Sequence, residues 1–394
     1  MTSSRSLSPK SSKLRQYLTS PRALVLGLLI CSLLVNLALL ARFGIQHGVD
    51  STRYLSGASN LLTGQPFPLE QKRYLGYIAV VAMSRLVGTG ERGIIIFQIG
   101  VMALATMALF DLGRQLSGRA AGLLAAVFFI GNVDIARWNT YLLTDSLYIS
   151  LVLFSTWLIH RAAERREAWW YAAGAAVVLF AALVRPHGWL LVPVAAVYWI
   201  ARAKIGWRAK CGVALLVLIG FAGGAIGLGA FGRAEQGEGP GTWLRQGVIV
   251  WGYDGWRVSM PPAVNDSGDD VASVVKYVLH HPWPAAKLAV ARVAAELLHA
   301  RPFYSSTHNL LVIAVGLIIY PLAVLGFLRL KRESLARLMA AIIGSHMLFV
   351  ALTVADWDGR FLLYVLPMIS LFAACWAAEF GRMLARKVIP GGLP

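Results

Sequence analysis

Charge is scarce in this chain. Only 14% of its 394 residues are Asp, Glu, Lys or Arg, against about 25% in an ordinary soluble domain. Acids are the scarcer sign, 19 against 37 basic residues. Cysteine is almost missing: Cys31, Cys211 and Cys375 stand far apart inside apolar runs, which excludes a disulfide framework or a cysteine metal cluster and leaves them as packing residues. No His-Glu-x-x-His spacing occurs, so a metalloprotease helix is excluded. The glycines of 222–232 follow no strand and read as close helix packing, not as a phosphate loop. No internal repeat stands out, and the Ser-rich N-terminal tract is the one low-complexity segment.

What is present is apolar sequence, 57% of the chain, with a mean hydropathy of +0.62. A bilayer core needs about 20 apolar residues per helical crossing. Such runs recur at about 22–42, 93–113, 119–135, 143–160, 168–184, 188–201, 210–230, 309–329, 336–354 and 360–380. They are rich in Leu, Ala, Gly and Trp, which suits helices and not barrel strands. The sequence therefore predicts an all-α integral membrane protein of about ten spans (nine to twelve), with residues 1–21 and 381–394 as cytoplasmic tails around a membrane domain over 22–380. Residues 22–42 read as a retained first span, with a signal peptide as the alternative.

The net charge of +18 invites a nucleic-acid reading, and its distribution rejects it. With the N-terminus placed in the cytoplasm, more than half of the 37 basic residues and only a handful of the 19 acids fall in cytoplasmic segments. That is the positive-inside signature. It places both termini in the cytoplasm of a multi-pass plasma-membrane protein.

The outer segments are the long ones, about 43–92 and 231–308. In the first, Asp50, Tyr54, Ala58 and Leu61–Leu62 follow helical spacing up to Gly64-Gln65-Pro66. Residues 74–83 are apolar for too few positions to span, and predict a helix lying in the interface. In the second, Asp266, Asp269 and Asp270 mark a turn and helix start, and 271–300 reads as amphipathic surface helices. His280-His281-Pro282-Trp283 reads as an interfacial loop anchored by its Trp.

Ionisable groups at a membrane boundary ask for a reason. Asp50, Asp145, Asp356 and Asp358 all fall at the outer boundary. Each has a bland reading: Asp50 as a partner of Arg53 or Arg42, Asp145 as a helix N-cap beside Thr144, the last two as a solvated loop. Arg185-Pro186-His187-Gly188 lies at the same boundary.

Order and spacing sharpen the set. Asp50-Ser51-Thr52-Arg53-Tyr54, then Gln71-Lys72-Arg73-Tyr74, then Thr144-Asp145, then Arg185-Pro186-His187-Gly188, then Arg360-Phe361 with Pro367 resemble the GT-C membrane glycosyltransferases, in the branch of the lipid A aminoarabinose transferase and the protein mannosyltransferases. The resemblance covers roughly residues 20–380. It implies a hexosyl- or pentosyltransferase that takes a sugar from a polyprenyl-phosphate donor and passes it to an acceptor hydroxyl of a lipid, glycan or protein, facing the periplasm or exterior. It implies Asp50 as general base, Asp145 as a residue orienting the acceptor or Arg53, and Arg53, Tyr54, Lys72, Arg185, His187 and Arg360 as donor-phosphate or substrate contacts. A cation is what a phosphate leaving group needs, and Arg offers it a planar fork of donors. The resemblance fixes no cofactor; a divalent metal is possible and, if one takes part, is expected at Asp50. The sequence departs from relatives that carry an acidic pair in the first loop, because Ser51 follows Asp50. A secondary transporter predicts midplane charges and an inverted repeat; a lipid-linked glycan polymerase or ligase also uses outer cations and a large outer loop. The Asp-x-x-Arg-Tyr run favours the transferase.

Overall fold

The fold is taken from a computed structural model, which describes residues 21–227, 239–263 and 271–388. Eighteen α-helices run in chain order through these residues: α1 Pro21–Phe43, α2 Ser51–Thr63, α3 Leu69–Lys72, α4 Leu75–Leu86, α5 Gly90–Ser117, α6 Arg119–Gly131, α7 Val133–Ala136, α8 Thr144–Arg165, α9 Ala168–Val184, α10 Leu191–Arg202, α11 Trp207–Gly227, α12 Pro240–Arg245, α13 Val271–His280, α14 Pro282–Leu298, α15 Ser306–Leu330, α16 Ser334–Leu352, α17 Arg360–Leu363 and α18 Leu366–Val388. Two 3-10 turns, Arg137–Thr140 and Pro186–Leu190, interrupt them.

Six of these helices are long and apolar enough to cross a membrane, and α6 with the segment Val133–Thr140, bent by 59°, makes a seventh. About ten spans was the expectation. The difference lies in three runs: 168–184 forms a helix of only 17 residues, 188–201 divides into a 3-10 turn and a 12-residue helix, and 210–230 runs past the described residues. The last run also breaks: α17 is a separate turn before α18.

The core forms around α8. Its apolar window is 83% buried, whereas those of α1 and α15 are 17% and 11% buried. Leu310, Leu317, Ile318 and Leu325 on α15 are exposed, which suits a helix whose outer face meets lipid. Close helix approach depends on small residues: a Cβ on Gly113 of α5 would lie 2.6 Å from the Gly122 Cα of α6. Cys375 is buried as a packing residue, but Cys31 and Cys211 are exposed, so the packing reading fails for those two.

Among the described residues the fold is all-α as expected except for one antiparallel hairpin, β1 Val248–Val250 with β2 Tyr253–Arg257, turned through Gly252 at φ +72. Its Val250 bridges to Ala355. The predicted helix of the first long segment is present as α2, capped by Gly64 at φ +69. The apolar stretch after it is α4, and it packs Tyr77, Ile78 and Val81 fully inside the protein. It is therefore a core element on that face and not only a surface helix. Helices α13 and α14 occupy 271–298 as expected, with Trp283 exposed. Asp266, Asp269 and Asp270 lie outside the described residues.

Candidate active site at the polar end of the bundle

Four segments converge at one end of the bundle, and buried polar side chains fix them there. Asn36 of α1 accepts from Asn139 at 2.7 Å, and Gln98 of α5 donates to the Tyr141 carbonyl at 3.0 Å. Gln98 also accepts from the Tyr77 hydroxyl at 2.7 Å. The segment before α2 then joins residues 140–142: the Gln46 N–H donates to Thr140, the Leu142 N–H donates back to Gln46, and the Ser51 hydroxyl donates to the Leu142 carbonyl. An unpaired polar group would be costly in such a place, so these bonds specify where the loop carrying Asp50 sits relative to Asp145.

Asp50 is the N-cap residue of α2 but makes no side-chain cap bond. Its carboxylate is 3.1 Å from Arg53 Nη1, and Arg53 Nε is 3.3 Å from Glu70. The bland pairing of Asp50 with Arg53 is thus real, and Glu70 is a partner the sequence reading missed. Burial works against the charge of Arg53; Asp50, then Tyr74, Tyr54 and Glu70, more than restore it. Tyr54 is buried against Tyr74 and Tyr77, with ring centroids 5.3 and 4.9 Å away. Burial pushes its hydroxyl well above the usual range; Tyr74, Asp50 and Asp145 add to this and Arg185 opposes it. Both acids and Arg185 therefore act on one phenol. Lys72 is exposed at the end of α3.

Asp145 lies in the first turn of α8, 1% exposed. The N-cap of that helix is Leu143, and no side chain caps it, so the capping reading of Asp145 is wrong. Its Oδ1 instead accepts from the Tyr364 hydroxyl at 2.6 Å and pairs with Arg185 Nη1 at 3.0 Å; Arg360 Nη1 stands 3.7 Å from Oδ2. Arg53 pairs with Asp50 and Glu70, so among the described ion pairs Asp145 orients Arg185 and Arg360. Arg185 also donates to Thr144 Oγ1 at 2.7 Å and lies 5.0 Å from the Tyr364 ring centre.

Arg360 is gripped by Asp356 through two bonds of 3.1 Å, and Asp356 further accepts the N–H groups of Asp358 and Arg360. Burial alone would raise the Asp356 carboxyl; the Arg360 guanidinium and these bonds hold it below its usual range. Under this turn lies a buried clamp. Glu296 accepts the N–H of Asp356 at 2.9 Å and of Leu362 at 2.8 Å, and Arg301 donates to the carbonyls of Asp356 at 2.7 Å and Trp357 at 2.9 Å. Burial, with Asp356 nearby, pushes the Glu296 carboxyl up to about 7, although Arg301 and the two N–H groups pull the other way.

His187 is not brought to a polar surface. Phe349 and Phe361 wall it in at 4.2 and 4.4 Å between ring centroids, and neither ring nitrogen has a hydrogen-bond partner. Burial, then the neighbouring Arg185, pushes its imidazole well below the usual value. It packs as a neutral aromatic. Ser51 is buried and bonded to the Leu142 carbonyl, and the cluster of three metal-type donors among the described residues does not include Asp50.

The family model for dolichyl-phosphate-mannose-protein mannosyltransferases matches residues 75–225, which hold Asp145 and Arg185 but not Asp50, Arg53, Lys72 or Arg360. Among solved structures, the archaeal oligosaccharyltransferase AglB from Archaeoglobus fulgidus, in complex with an inhibitory peptide and a dolichol-phosphate, shares the fold with a TM-score of 0.52 at 12% identity. That likeness covers 94% of this chain and 52% of the other, so the chain spans about half the length of that relative. No curated protein matches by sequence. The resemblance read from the sequence is borne out by the family-model match, and the solved structure bears out the fold alone.

Proposed function

We propose that this protein is a GT-C-type glycosyltransferase that moves a sugar from a polyprenyl-phosphate donor to an acceptor hydroxyl on the outer face of the membrane. The observation that carries the reading is the convergence of Asp50, Arg53, Asp145, Arg185 and Arg360 at one end of an apolar bundle. The bond formed joins the acceptor oxygen to the anomeric carbon; the bond broken frees polyprenyl phosphate. Asp50 takes the acceptor proton, and positioned carboxylates contribute about 10²–10⁴-fold to such steps.

The Asp50–Arg53 pair gives this base a way to be released. A carboxylate oxygen engaged by the Arg53 guanidinium at 3.1 Å is not free to accept the acceptor proton. A donor phosphate competes for Arg53 as a bidentate partner, so donor binding frees that oxygen. Lys72 adds a point charge from the adjacent segment. Arg360 and Arg185, set by Asp145, form the wall against which the departing phosphate develops charge. A divalent metal is not needed for these roles.

The test uses purified protein in lipid vesicles, offered either a polyprenyl-phosphate sugar or the corresponding nucleotide sugar with a panel of acceptors. Release of polyprenyl phosphate with glycosylated product from the first alone supports the reading. Turnover of the nucleotide sugar alone would refute it.

A further inference from the structure

Three side chains with no part in the reaction meet beside the Asp356–Arg360 turn. Asp134 lies in α7, His299 ends α14 and His308 lies in the first turn of α15. One donor atom from each falls within 4.8 Å of the other two. His308 Nε2 is 3.7 Å from Asp134 Oδ1.

His299 is 5% exposed, and among the described residues neither of its ring nitrogens has a hydrogen-bond partner; His308 Nε2 has none either. A buried polar group left unsatisfied costs about 1–3 kcal/mol, so two such nitrogens in one ring ask for a ligand. The backbone holds each position. His299 has φ +53, a left-handed conformation rare for non-glycine residues. The Ser305 side chain accepts from the His308 N–H at 3.2 Å, and Asn132 caps the turn that carries Asp134.

We propose that Asp134, His299 and His308 bind a divalent transition-metal ion of the zinc class. Two imidazole nitrogens and a carboxylate oxygen suit zinc, which keeps a fourth position for water or another ligand in such three-residue sites. Magnesium and calcium favour all-oxygen sets. Zinc–nitrogen bonds of about 2.0–2.1 Å place tetrahedral donors roughly 3.3 Å apart, a small side-chain movement from the present spacing. Asp134 and His299 also line a cavity of about 470 Å³, walled for the most part by apolar residues such as Val315, Ile319 and Leu362, into which the fourth position can open.

The ion acts on Arg360 by position, without touching substrate. A Cβ on Gly359 would lie 2.1 Å from His299 Nδ1, so the His299 ring rests on the residue that precedes Arg360. The Tyr304 ring lies tilted against both imidazoles, with centroids 6.2 and 4.5 Å away, and its hydroxyl donates to the Asp358 carbonyl at 3.0 Å. Metal binding would tie α7, α14 and α15 around the turn that presents Arg360.

The test is metal binding by the tag-free full chain in lipid nanodiscs, stripped with a chelator and reloaded with zinc or cobalt. The expected result is one ion per chain, a four-coordinate visible spectrum with cobalt, and zinc affinity at least tenfold weaker in Asp134→Asn and in His308→Gln. Both side chains are partly exposed, so these variants keep the fold, checked by metal-free thermal unfolding. If His299→Gln fails to fold, the double variant Asp134→Asn/His308→Gln decides alone. Zinc retained unchanged in that double variant, or absent from the wild type after loading, overturns the proposal.

Discussion

The Asp145 carboxylate and the Arg185 guanidinium form an ion pair of 3.0 Å with only 1% and 9% of the two side chains exposed. Removing one member of a buried pair leaves an uncompensated charge, which costs about 3–5 kcal/mol. Asp145→Asn should therefore lower the unfolding free energy by about that amount, because Arg185 would lose its counter-charge while Arg360 keeps Asp356. The double variant Asp145→Asn/Arg185→Gln should cost less than the sum of the singles. Strict additivity in denaturant titrations would show that the pair is not coupled.

Arg185 owes its position to a tight turn. A Cβ on Gly188 would sit 2.2 Å from the Ala181 carbonyl oxygen of α9, so Gly188→Ala must push the 3-10 turn away from that helix. Arg185 should then leave Asp145, with transfer falling about a hundredfold while the chain still inserts and purifies, since misplacement by about 1 Å can cost that much. Unchanged turnover in this variant would show that Arg185 does not need its present place.

Much of this could be read from the sequence, and the misses have physical reasons. The bundle, α2 with its glycine stop, and the boundary acids follow from hydropathy and short-range spacing. Asp356, Arg360 and Tyr364 even stand four residues apart, a signal that could have linked the Asp356 grip on Arg360 to the Tyr364 bond on Asp145. The pairing of Asp145 with Arg185 and Arg360, and not with Arg53, is tertiary and has no local signature. Neither has the burial of His187, whose Arg-Pro context gave no hint of Phe349 and Phe361 around it. The hairpin at 248–257 was too short to register among apolar runs.

Glu296 should make stability depend on pH. Its carboxyl is raised from the usual value of about 4.5 to about 7, so between these values the folded chain holds a proton that the unfolded chain has lost. Its stabilising contribution is fully present below about pH 4.5 and declines as pH rises to about 7, by about 3 kcal/mol at most. Unfolding free energies of wild type minus those of Glu296→Gln should fall over that window and level off above it. A flat difference, or one rising with pH, would mean that Arg301 and the two N–H donors keep Glu296 ionised.

Donor affinity should rest on Arg53 and Lys72. Arg53→Ala and Lys72→Ala should each weaken binding of a polyprenyl-phosphate sugar by about tenfold or more, in keeping with charge-assisted bonds to phosphate. Calorimetry or fluorescence titration in nanodiscs reads this directly. Equal affinity in both variants would remove these residues from the donor site.

The central claim is that Asp50 takes the acceptor proton once the donor phosphate has drawn Arg53 away from it. Its most direct test is the single-turnover rate of Asp50→Asn at saturating polyprenyl-phosphate sugar, measured beside the donor dissociation constant. The rate should be at least a hundredfold lower with donor affinity unchanged or tighter, because Arg53 is then freed from its carboxylate. A variant that transfers sugar as fast as the wild type would contradict it.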